Sequence, residues 1–305
     1  MTGSNKPGYP IGLAQAEGRN ARLRAGLNGP ELLMVPGCFD CLTARLVAAQ
    51  GFAAGYISGS GVSMTSLGAP DMGVISYGEV IERARRITDS VDLPMICDVD
   101  TGYGGPINVI RTVREMERAG VSAIQIEDQN WPKKCGHEPG RNVVGIPEMV
   151  GRIKAAVDAR DDDDFVVIAR TDARTALGLQ AALDRAAAYA EAGADVIFVE
   201  SPESREEMRR INACVDRPCL ANMVEGGRTP ILPADALSAL GYRLAIYPNS
   251  LTRLIAHQGA RLLQVLNQTG STQAMQGAML SHRELWDLFD YSDWTALEEK
   301  FAAAD

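Results

Sequence analysis

The stretch Ala123-Ile124-Gln125-Ile126-Glu127-Asp128 is a short, β-rich apolar run that ends in two acids. Runs of this kind recur along the chain, and they decide the fold class. There are eight: Leu32 to Val35, Ala54 to Ser58, Met95 to Cys97, Ala123 to Ile126, Phe165 to Ala169, Val196 to Val199, Cys219 to Ala221 and Leu244 to Ile246. Short strands that are apolar at nearly every position are typical of a parallel sheet with both faces buried.

Longer segments between these runs carry apolar residues at helical spacing. They are Tyr77 to Ser90, Ile107 to Ala119, Pro147 to Arg160, Leu179 to Ala192, Arg205 to Val215 and Ala234 to Leu240. Strands that alternate with helices indicate an α/β fold, and eight such units in about 250 residues predict a closed (β/α)8 TIM barrel. An open dinucleotide-binding sheet is disfavoured, because no GxGxxG turn follows the first strand.

Helices are also predicted at both ends of the chain. An Arg-, Ala- and Leu-rich segment from Leu13 to Leu27 predicts an N-terminal helix. Further helices are predicted after the eighth strand, at Thr252 to Thr269, His282 to Phe289 and Trp294 to Ala303. We therefore expect a single barrel domain over residues 1–305, with residues from about 252 to 305 as a C-terminal helical extension. Such a tail commonly packs on a partner subunit.

The composition of the 305 residues is that of a globular protein, with 46% hydrophobic and 23% charged residues. A net charge of -9 and the lack of a basic patch argue against a nucleic-acid partner. No apolar run reaches the roughly 20 residues of a membrane span, and Met1 to Pro10 lacks the apolar core of a signal peptide. We expect no membrane partner and a cytoplasmic location. Cys38 and Cys41 form a CxxC pair without a second pair at zinc spacing, so we interpret them as buried thiols, with redox or metal binding as the alternative.

Acids follow two adjacent predicted strands. In a parallel barrel, residues just beyond the carboxyl ends of the strands meet at one site. Asp98 and Asp100 follow the third strand and Glu127 follows the fourth, and these acids would repel one another without a cation. Hard oxygen ligands suit Mg2+ or Mn2+ better than zinc. Asp71, on a Gly/Pro loop, could reach the same ion through water. The alternative is that the acids pair with lysines or cap helices.

Two other strand ends indicate binding of a carboxylate. Arg170 is placed to hold a carboxylate through two hydrogen bonds, the alternative being an internal salt bridge to Glu200. The Ser58-Gly59-Ser60-Gly61 turn exposes backbone N–H groups that could hold another carboxylate or a phosphate.

The loop after the fourth strand, Trp131-Pro132-Lys133-Lys134-Cys135-Gly136-His137, places a thiol between two lysines and a histidine. Nearby cationic groups lower the pKa of a thiol from about 8.5. Cys135 is therefore a candidate proton carrier or nucleophile, the alternative being an ordinary cysteine in a charged surface loop. A divalent ion, a carboxylate-binding arginine and a thiol suit retro-aldol chemistry: the ion binds the carboxylate and the C2 oxygen and stabilises an enolate, and the thiol delivers or removes a proton on the other fragment.

From about Pro36 to Pro248 the sequence resembles the isocitrate lyase and phosphoenolpyruvate mutase superfamily. The motifs are Asp98-Val99-Asp100-Thr101-Gly102-Tyr103-Gly104, Glu127-Asp128-Gln129, Lys133-Lys134-Cys135-Gly136-His137, Ala169-Arg170-Thr171-Asp172 and Asn222-Met223-Val224-Glu225-Gly226-Gly227. The resemblance implies a barrel with a swapped C-terminal helix, a homotetramer built as a dimer of dimers, and a requirement for Mg2+.

The resemblance also implies residue roles. Asp98 and Asp100 correspond to acids of the metal site, with Asp71 and Glu127 in the surrounding water shell. Cys135 corresponds to the general acid of the lyases, on a loop that closes over substrate, and we place Lys133 and His137 of the same motif with it as catalytic candidates. Tyr56 corresponds to a catalytic tyrosine near the C2 hydroxyl. Substrate-contacting positions correspond to Ser58, Gly59, Ser60, Gly136, Arg170, Glu200, Asn222 and Arg253.

Within the superfamily, the Cys-Gly-His loop resembles the carbon–carbon lyases, whereas phosphonomutases and phosphonate hydrolases lack that cysteine. Methylisocitrate lyases carry an arginine near the position of His282 and Asn-Ile-Thr-Glu-Phe-Gly at positions 222–227. The run from Val224 to Pro230 instead resembles the branch of 2,3-dimethylmalate lyase, petal death protein and oxaloacetate hydrolase. The hydrolases are expected to have a serine where this chain has Pro248, although an offset of two residues would bring Ser250 into play.

We therefore expect a Mg2+-dependent carbon–carbon lyase. Its substrate would be a 2-hydroxy di- or tricarboxylate of the 2-methylisocitrate or 2,3-dimethylmalate type, cleaved to pyruvate or another 2-oxo acid and a second carboxylate. The alternatives are an oxaloacetate hydrolase or decarboxylase and, with less support, a phosphonomutase. A barrel kept only as a binding scaffold would show gaps in the acid ring or the thiol loop, and the sequence has none.

Overall fold

The computed structural model describes residues 18–134, 136, 140 and 142–302. Cys135, His137, the first residues of the helix predicted from Leu13, and Ala303 lie outside these residues. Eight parallel strands close into a barrel in sequence order, which confirms the predicted TIM barrel. The strands are β1 Leu33–Cys38, β2 Gly55–Ile57, β3 Met95–Asp98, β4 Ala123–Glu127, β5 Val166–Thr171, β6 Val196–Val199, β7 Cys219–Asn222 and β8 Leu244–Tyr247.

Alternation along the strands produces two apolar layers. Ala123 on β4 belongs to an inner cluster to which all eight strands contribute, whereas Ile124 and Ile126 belong to the larger cluster between the sheet and the helices. Full burial of one such isoleucine stabilises the fold by about 1.5–3 kcal/mol. Leu23 and Leu27 of the first helix join the inner cluster and close the barrel interior at one end. Together these layers hold the strand ends in fixed positions.

In the part of the chain that the structure describes, ten helices accompany the strands up to β8. They are α1 Arg19–Asn28, α2 Cys41–Ala49, α3 Gly59–Leu67, α4 Tyr77–Ser90, α5 Pro106–Arg118, α6 Ile146–Ala159, α7 Ala173–Leu177, α8 Leu179–Glu191, α9 Arg205–Ala213 and α10 Ala234–Ala239. Capping boxes at Asp40 and Ser76 fix the starts of α2 and α4, and such caps contribute about 1 kcal/mol each. Cys38 and Cys41 are free, but only Cys38 is buried, so the interpretation as two buried thiols is wrong for Cys41.

The C-terminal helices pack little against the barrel. They are α11 Ser250–Thr269, a 3-10 helix Gln273–Ala278, α12 His282–Asp287 and α13 Tyr291–Phe301. The three α-helices contain no buried residue, although Leu254 and Leu263 of α11 and Trp294 of α13 are large apolar side chains. A salt bridge of 2.5 Å between Arg45 and Asp290 ties α2 to this region. In the described part of the chain, no helix is both long and apolar enough to cross a membrane.

Candidate active site

Two acids contact one ammonium group: Asp71, on the loop before α4, and Asp100, just after β3. Lys133 Nζ lies 2.5 Å from Asp71 Oδ1 and 2.5 Å from Asp100 Oδ1, and its side chain is 3% exposed. Asp98 ends β3, and Asp100 follows with a φ of 51°, a left-handed conformation that Asp and Asn adopt more readily than most residues. The alternative in which acids pair with a lysine therefore describes Asp71 and Asp100. Asp98 forms no ion pair within 4.0 Å in the described ranges.

Burial dominates the ionisation of this cluster. It raises the pKa of Asp98, it raises the pKa of Glu127 well above its usual value, and it raises the pKa of Asp100 to about 6. Burial alone would lower the pKa of Lys133, but the surrounding carboxylates outweigh it and raise that pKa well above 10.5. Lys133 is therefore charged at neutral pH. The carboxylates of this cluster, by contrast, outnumber the positive charges near them.

Arg170 on β5 is surrounded by three carboxylates. Its Nε and Nη2 each donate to Asp172 at 2.9 Å, while Nη1 lies 3.3 Å from Glu127 Oε2 and Nη2 lies 3.6 Å from Glu200 Oε2. The salt bridge to Glu200 is therefore present, beside a closer bidentate contact with Asp172. Asn222 Nδ2 donates to Glu200 Oε2 at 2.9 Å. Burial opposes the charge of Arg170, but these acids outweigh it and raise the pKa of Arg170 further, so its orientation is fixed in the charged form.

Asp128 binds residues that hold Arg170 in place. Its Oδ2 accepts hydrogen bonds from Thr171 Oγ1 at 2.7 Å, Tyr189 OH at 2.7 Å and Arg185 Nη1 at 3.0 Å. Its Oδ1 accepts from the backbone N–H of Asp172 at 2.9 Å. Asp128 is thus a buried structural acid that holds Asp172, which in turn holds Arg170. The sequence shows Asp128 directly after the fourth strand, in the Glu127-Asp128-Gln129 motif, but does not identify these partners.

The segment Ser58-Gly59-Ser60-Gly61 begins α3, so the prediction of a turn was wrong. Ser58 is the N-cap, and its Oγ accepts from the N–H of Gly61 at 3.2 Å. A Cβ on Gly59 would lie 3.0 Å from Asp98 Oδ2, so glycine lets the helix start come close to the acid. The start of a helix still favours a bound anion, through its free N–H groups and its dipole.

One cavity is bounded by both the acid cluster and the arginine cluster. Its walls are Tyr56, Ser58, Ser60, Asp71, Asp98, Gly136, Arg170, Glu200, Asn222, Val224, Ile246, Pro248 and Asn249. The structure thus brings most of the predicted site residues together. Lys133, Asp100 and Glu127 join them through the ion pairs described above. Cys135 and His137 lie outside the described residues.

Arg253 is a predicted substrate contact that does not line this cavity. It is exposed on α11 and donates to the backbone carbonyl of Glu225. Gly136, by contrast, packs closely: a Cβ there would lie 2.4 Å from Arg170 Nη2. Asn249, in the polar Pro248-Asn249-Ser250 run that follows the eighth strand, also lines the cavity, whereas sequence reasoning missed Val224 and Ile246 in its wall.

The donor chemistry of the site fits a hard divalent cation. Six carboxylates share the charges of Lys133 and Arg170; they are Asp71, Asp98, Asp100, Glu127, Asp172 and Glu200. Glu127 Oε1 is buried and has no hydrogen-bond partner in the described structure. Within residues 18–134, 136, 140 and 142–302, no three acid, histidine or cysteine side chains converge enough to ligate an ion by themselves. Mg2+ suits such a site, because it keeps several waters and takes one or two carboxylates together with substrate oxygens.

Comparison with known proteins matches residues 23–266 to the family described as phosphoenolpyruvate phosphomutase. The chain belongs to this family. Two relatives named as lyases agree with a place in the PEP mutase/isocitrate lyase superfamily. The 2,3-dimethylmalate lyase of Eubacterium barkeri is 45% identical over 282 residues, covering 92% of this chain and 98% of that protein. The 2-methylisocitrate lyase of Bacillus subtilis is 41% identical over 281 residues, covering 92% of each. This member of the phosphomutase family is therefore a carbon–carbon lyase.

Solved structures of the superfamily share the fold. A 2,3-dimethylmalate lyase has a TM-score of 0.87 at 34% identity, covering 94% of this chain and 96% of that one. An oxaloacetate acetylhydrolase bound to 3,3-difluorooxalacetate has a TM-score of 0.88 at 32% identity, covering 96% and 98%. A phosphonopyruvate hydrolase in complex with oxalate and Mg2+ has a TM-score of 0.84 at 32% identity, covering 93% and 99%. The fold of this phosphomutase-family chain therefore occurs in proteins of several activities.

Proposed function

We propose that this lyase depends on Mg2+ and cleaves a 2-hydroxy dicarboxylate or tricarboxylate of the 2,3-dimethylmalate or 2-methylisocitrate type. The products would be pyruvate or another 2-oxo acid and a second carboxylate. The observation that carries the proposal is the cavity in which a fixed arginine faces buried acids that are short of positive charge. Relatives named as lyases of these two substrates support it.

The acid cluster would hold the ion. We assign Asp98 and Asp100 to it, with Asp71 and Glu127 reaching it through water. When bound, the ion supplies positive charge beside the carboxylate and the C2 oxygen of the substrate. Lys133 bridges Asp71 and Asp100 through two ion pairs of 2.5 Å. Mn2+ suits the same oxygen donors.

The arginine cluster would hold the substrate. Arg170 binds a substrate carboxylate, and Asn222 and the first turn of α3 complete the polar wall. Val224 and Ile246 line the same cavity and provide apolar surface for an alkyl substituent.

Cleavage breaks the C2–C3 bond of the substrate. The C2 hydroxyl passes its proton to solvent water, C2 becomes a carbonyl carbon, and the electron pair of the broken bond passes to C3, which takes up a proton. We assign the delivery of that proton to Cys135 because of its place in the Lys-Lys-Cys-Gly-His motif, with Lys133 and His137 as the cations that lower its pKa.

Oxaloacetate hydrolysis is the second candidate, and the similarity to oxaloacetate acetylhydrolase favours it. The residues after β8 argue against it. Pro248 lines the cavity, and Ser250 begins α11, where its hydroxyl donates to Glu225 Oε1. The Ser250 hydroxyl therefore contacts Glu225, which does not line the cavity.

A substrate panel tests the proposal. The products, including pyruvate, oxalate and acetate, would be separated by chromatography and quantified for 2-methylisocitrate, 2,3-dimethylmalate, 2-methylmalate and oxaloacetate, each with Mg2+ and with EDTA. We expect pyruvate from one of the first three substrates when Mg2+ is present, and none when EDTA is present. Oxalate and acetate from oxaloacetate, with no cleavage of the others, would replace the lyase by the hydrolase. Turnover that survives in EDTA would defeat the metal assignment. Thr88→Val, which alters a buried residue of α4, serves as the control variant.

We further propose a homotetramer of single-domain chains in the cytoplasm, with the extension from about residue 252 packed on a second copy. The apolar residues of α11 that find no burial within one chain support this assembly. Light scattering on the purified full chain tests it. A monomer at micromolar concentration would contradict the proposal, and fractionation of cells would test the compartment.

A further inference from the structure

Gln125 is a polar residue inside the apolar barrel. It lies on β4 and is 0% exposed, level with the inner cluster formed by all eight strands. A buried amide left without partners costs about 1–3 kcal/mol. Its partners therefore determine both why it is tolerated and which way it points.

The two ends of this amide contact two residues of the site. Tyr56 OH donates to Gln125 Oε1 at 2.8 Å, and Gln125 Nε2 donates to Asp98 Oδ1 at 3.4 Å. The strands place these residues side by side, because Asp98 is the register partner of Gln125 and β2 pairs with β3. Gln125 thus bridges the tyrosine and the acid from below the cavity.

The contacts of Asp98 fix the direction of the amide. Asp98 Oδ1 also accepts the backbone N–H of Asp100 at 3.1 Å, so this oxygen acts as an acceptor. A reversed amide would point its oxygen at that acceptor and its NH2 group at the tyrosine. The amide nitrogen therefore faces Asp98, and the amide oxygen faces Tyr56. Since an amide oxygen can only accept, the single phenolic proton of Tyr56 is committed to Gln125.

This direction decides what Tyr56 can offer to a substrate. Tyr56 lines the cavity together with Asp98 and Arg170, and its oxygen retains lone pairs but no free proton. We propose that Gln125 is a positioning residue for the cleavage: it turns the proton of Tyr56 into the barrel and thereby presents the Tyr56 oxygen as the acceptor for the C2 hydroxyl of the substrate. The inference rests on the proposed lyase function. Tyr56 keeps its own proton throughout, and its role is to orient the C2 hydroxyl, whose proton passes to solvent water.

Three variants test the polarity of this bridge. Gln125→Met keeps the approximate shape but removes both hydrogen bonds, and we expect kcat to fall about tenfold, as for one lost hydrogen bond in the transition state, with KM changed less than twofold. Gln125→His should recover at least half of the logarithmic loss, because a neutral imidazole has one acceptor and one donor nitrogen. In a Tyr56→Phe background, Gln125→Met should have no further effect, since its only route to the substrate has been removed.

Other measurements separate this role from a structural one. Thermal melts of every variant, with Thr88→Val as the matched loss of a buried polar side chain, report stability, and titration calorimetry reports Mg2+ affinity, which we expect to stay within threefold. Equal defects in Gln125→Met and Gln125→His, additive effects with Tyr56→Phe, or a collapse of Mg2+ affinity would overturn the inference. If Gln125→Met does not fold, Gln125→Asn, too short to reach both partners, takes its place. A wild-type protein that cleaves no panel substrate would instead defeat the proposed function.

Discussion

Replacing Asp100 by Asn should change how the stability of the metal-free protein depends on pH. Burial raises the pKa of Asp100 from 3.8 to about 6. A group whose pKa rises on folding contributes stability that is fully present below the unfolded pKa and is lost as the pH rises through the folded pKa. Asn does not ionise, and it tolerates the φ of 51° at this position. The variant should therefore lack this loss while keeping the backbone.

The magnitude follows from the two pKa values. A difference of about two units corresponds to about 3 kcal/mol in total, at about 1.36 kcal/mol per unit. Between about pH 5 and about pH 7, where the protein can be handled, the linkage relation gives a loss of about 1.3 kcal/mol. The free energy of unfolding of Asp100→Asn should therefore rise relative to wild type by about 1.3 kcal/mol across this window.

Urea unfolding followed by circular dichroism at about pH 5, 6 and 7, in EDTA, measures this difference. Glu207→Gln is the control: the Arg174 side chain lowers the pKa of Glu207 below 4.5, so this variant should run parallel to wild type in the same window. Parallel curves for Asp100→Asn and wild type would refute the reasoning. Mg2+ should stabilise wild type more at about pH 7 than at about pH 5, because it binds the ionised acids.

Three further substitutions test other contacts. Asp128→Asn takes away the charge that Arg185 faces at 3.0 Å and should lower the free energy of unfolding by about 3–5 kcal/mol in urea; a loss under about 1 kcal/mol would contradict the structural role. Gly136→Ala places a Cβ 2.4 Å from Arg170 Nη2 and should lower kcat/KM at least about tenfold in steady-state assays while the melting temperature holds, whereas unchanged kinetics would show that the contact can relax. Ser58→Ala removes the cap of α3 and should destabilise by about 1 kcal/mol in a thermal melt, an effect that a chain without this cap would not show.

The fold could be predicted from the sequence because its signal is repeated. Strand runs such as Val196 to Val199 are apolar on both faces, and only a sheet buried on both sides tolerates that pattern. The missed start of α3 has a physical cause, since Gly59-Ser60-Gly61 carries no helical periodicity and little helix propensity. That helix begins because Ser58 caps it, and it stays buried against its neighbours.

The site was less predictable, because a motif names residues but not their partners. Asp98 and Asp100 stood out as acids after one strand, yet nothing in the sequence pairs Asp100 with Lys133, which lies on another loop. The sequence does mark Gln125, because an amide within an otherwise apolar strand needs buried partners. No site role was predicted for it. The placement of Arg253 depends on how α11 leaves the barrel, which no local pattern determines.

The salt bridges of Lys133 bear on how the cofactor would exchange. An ammonium that already links the loops of Asp71 and Asp100 keeps the mouth of the barrel assembled without the ion. Binding of the ion would then require little rearrangement of these loops. The rate of ion binding should therefore be set by the loss of water from the incoming ion. Removal by a chelator should leave a folded enzyme that regains turnover on resupply.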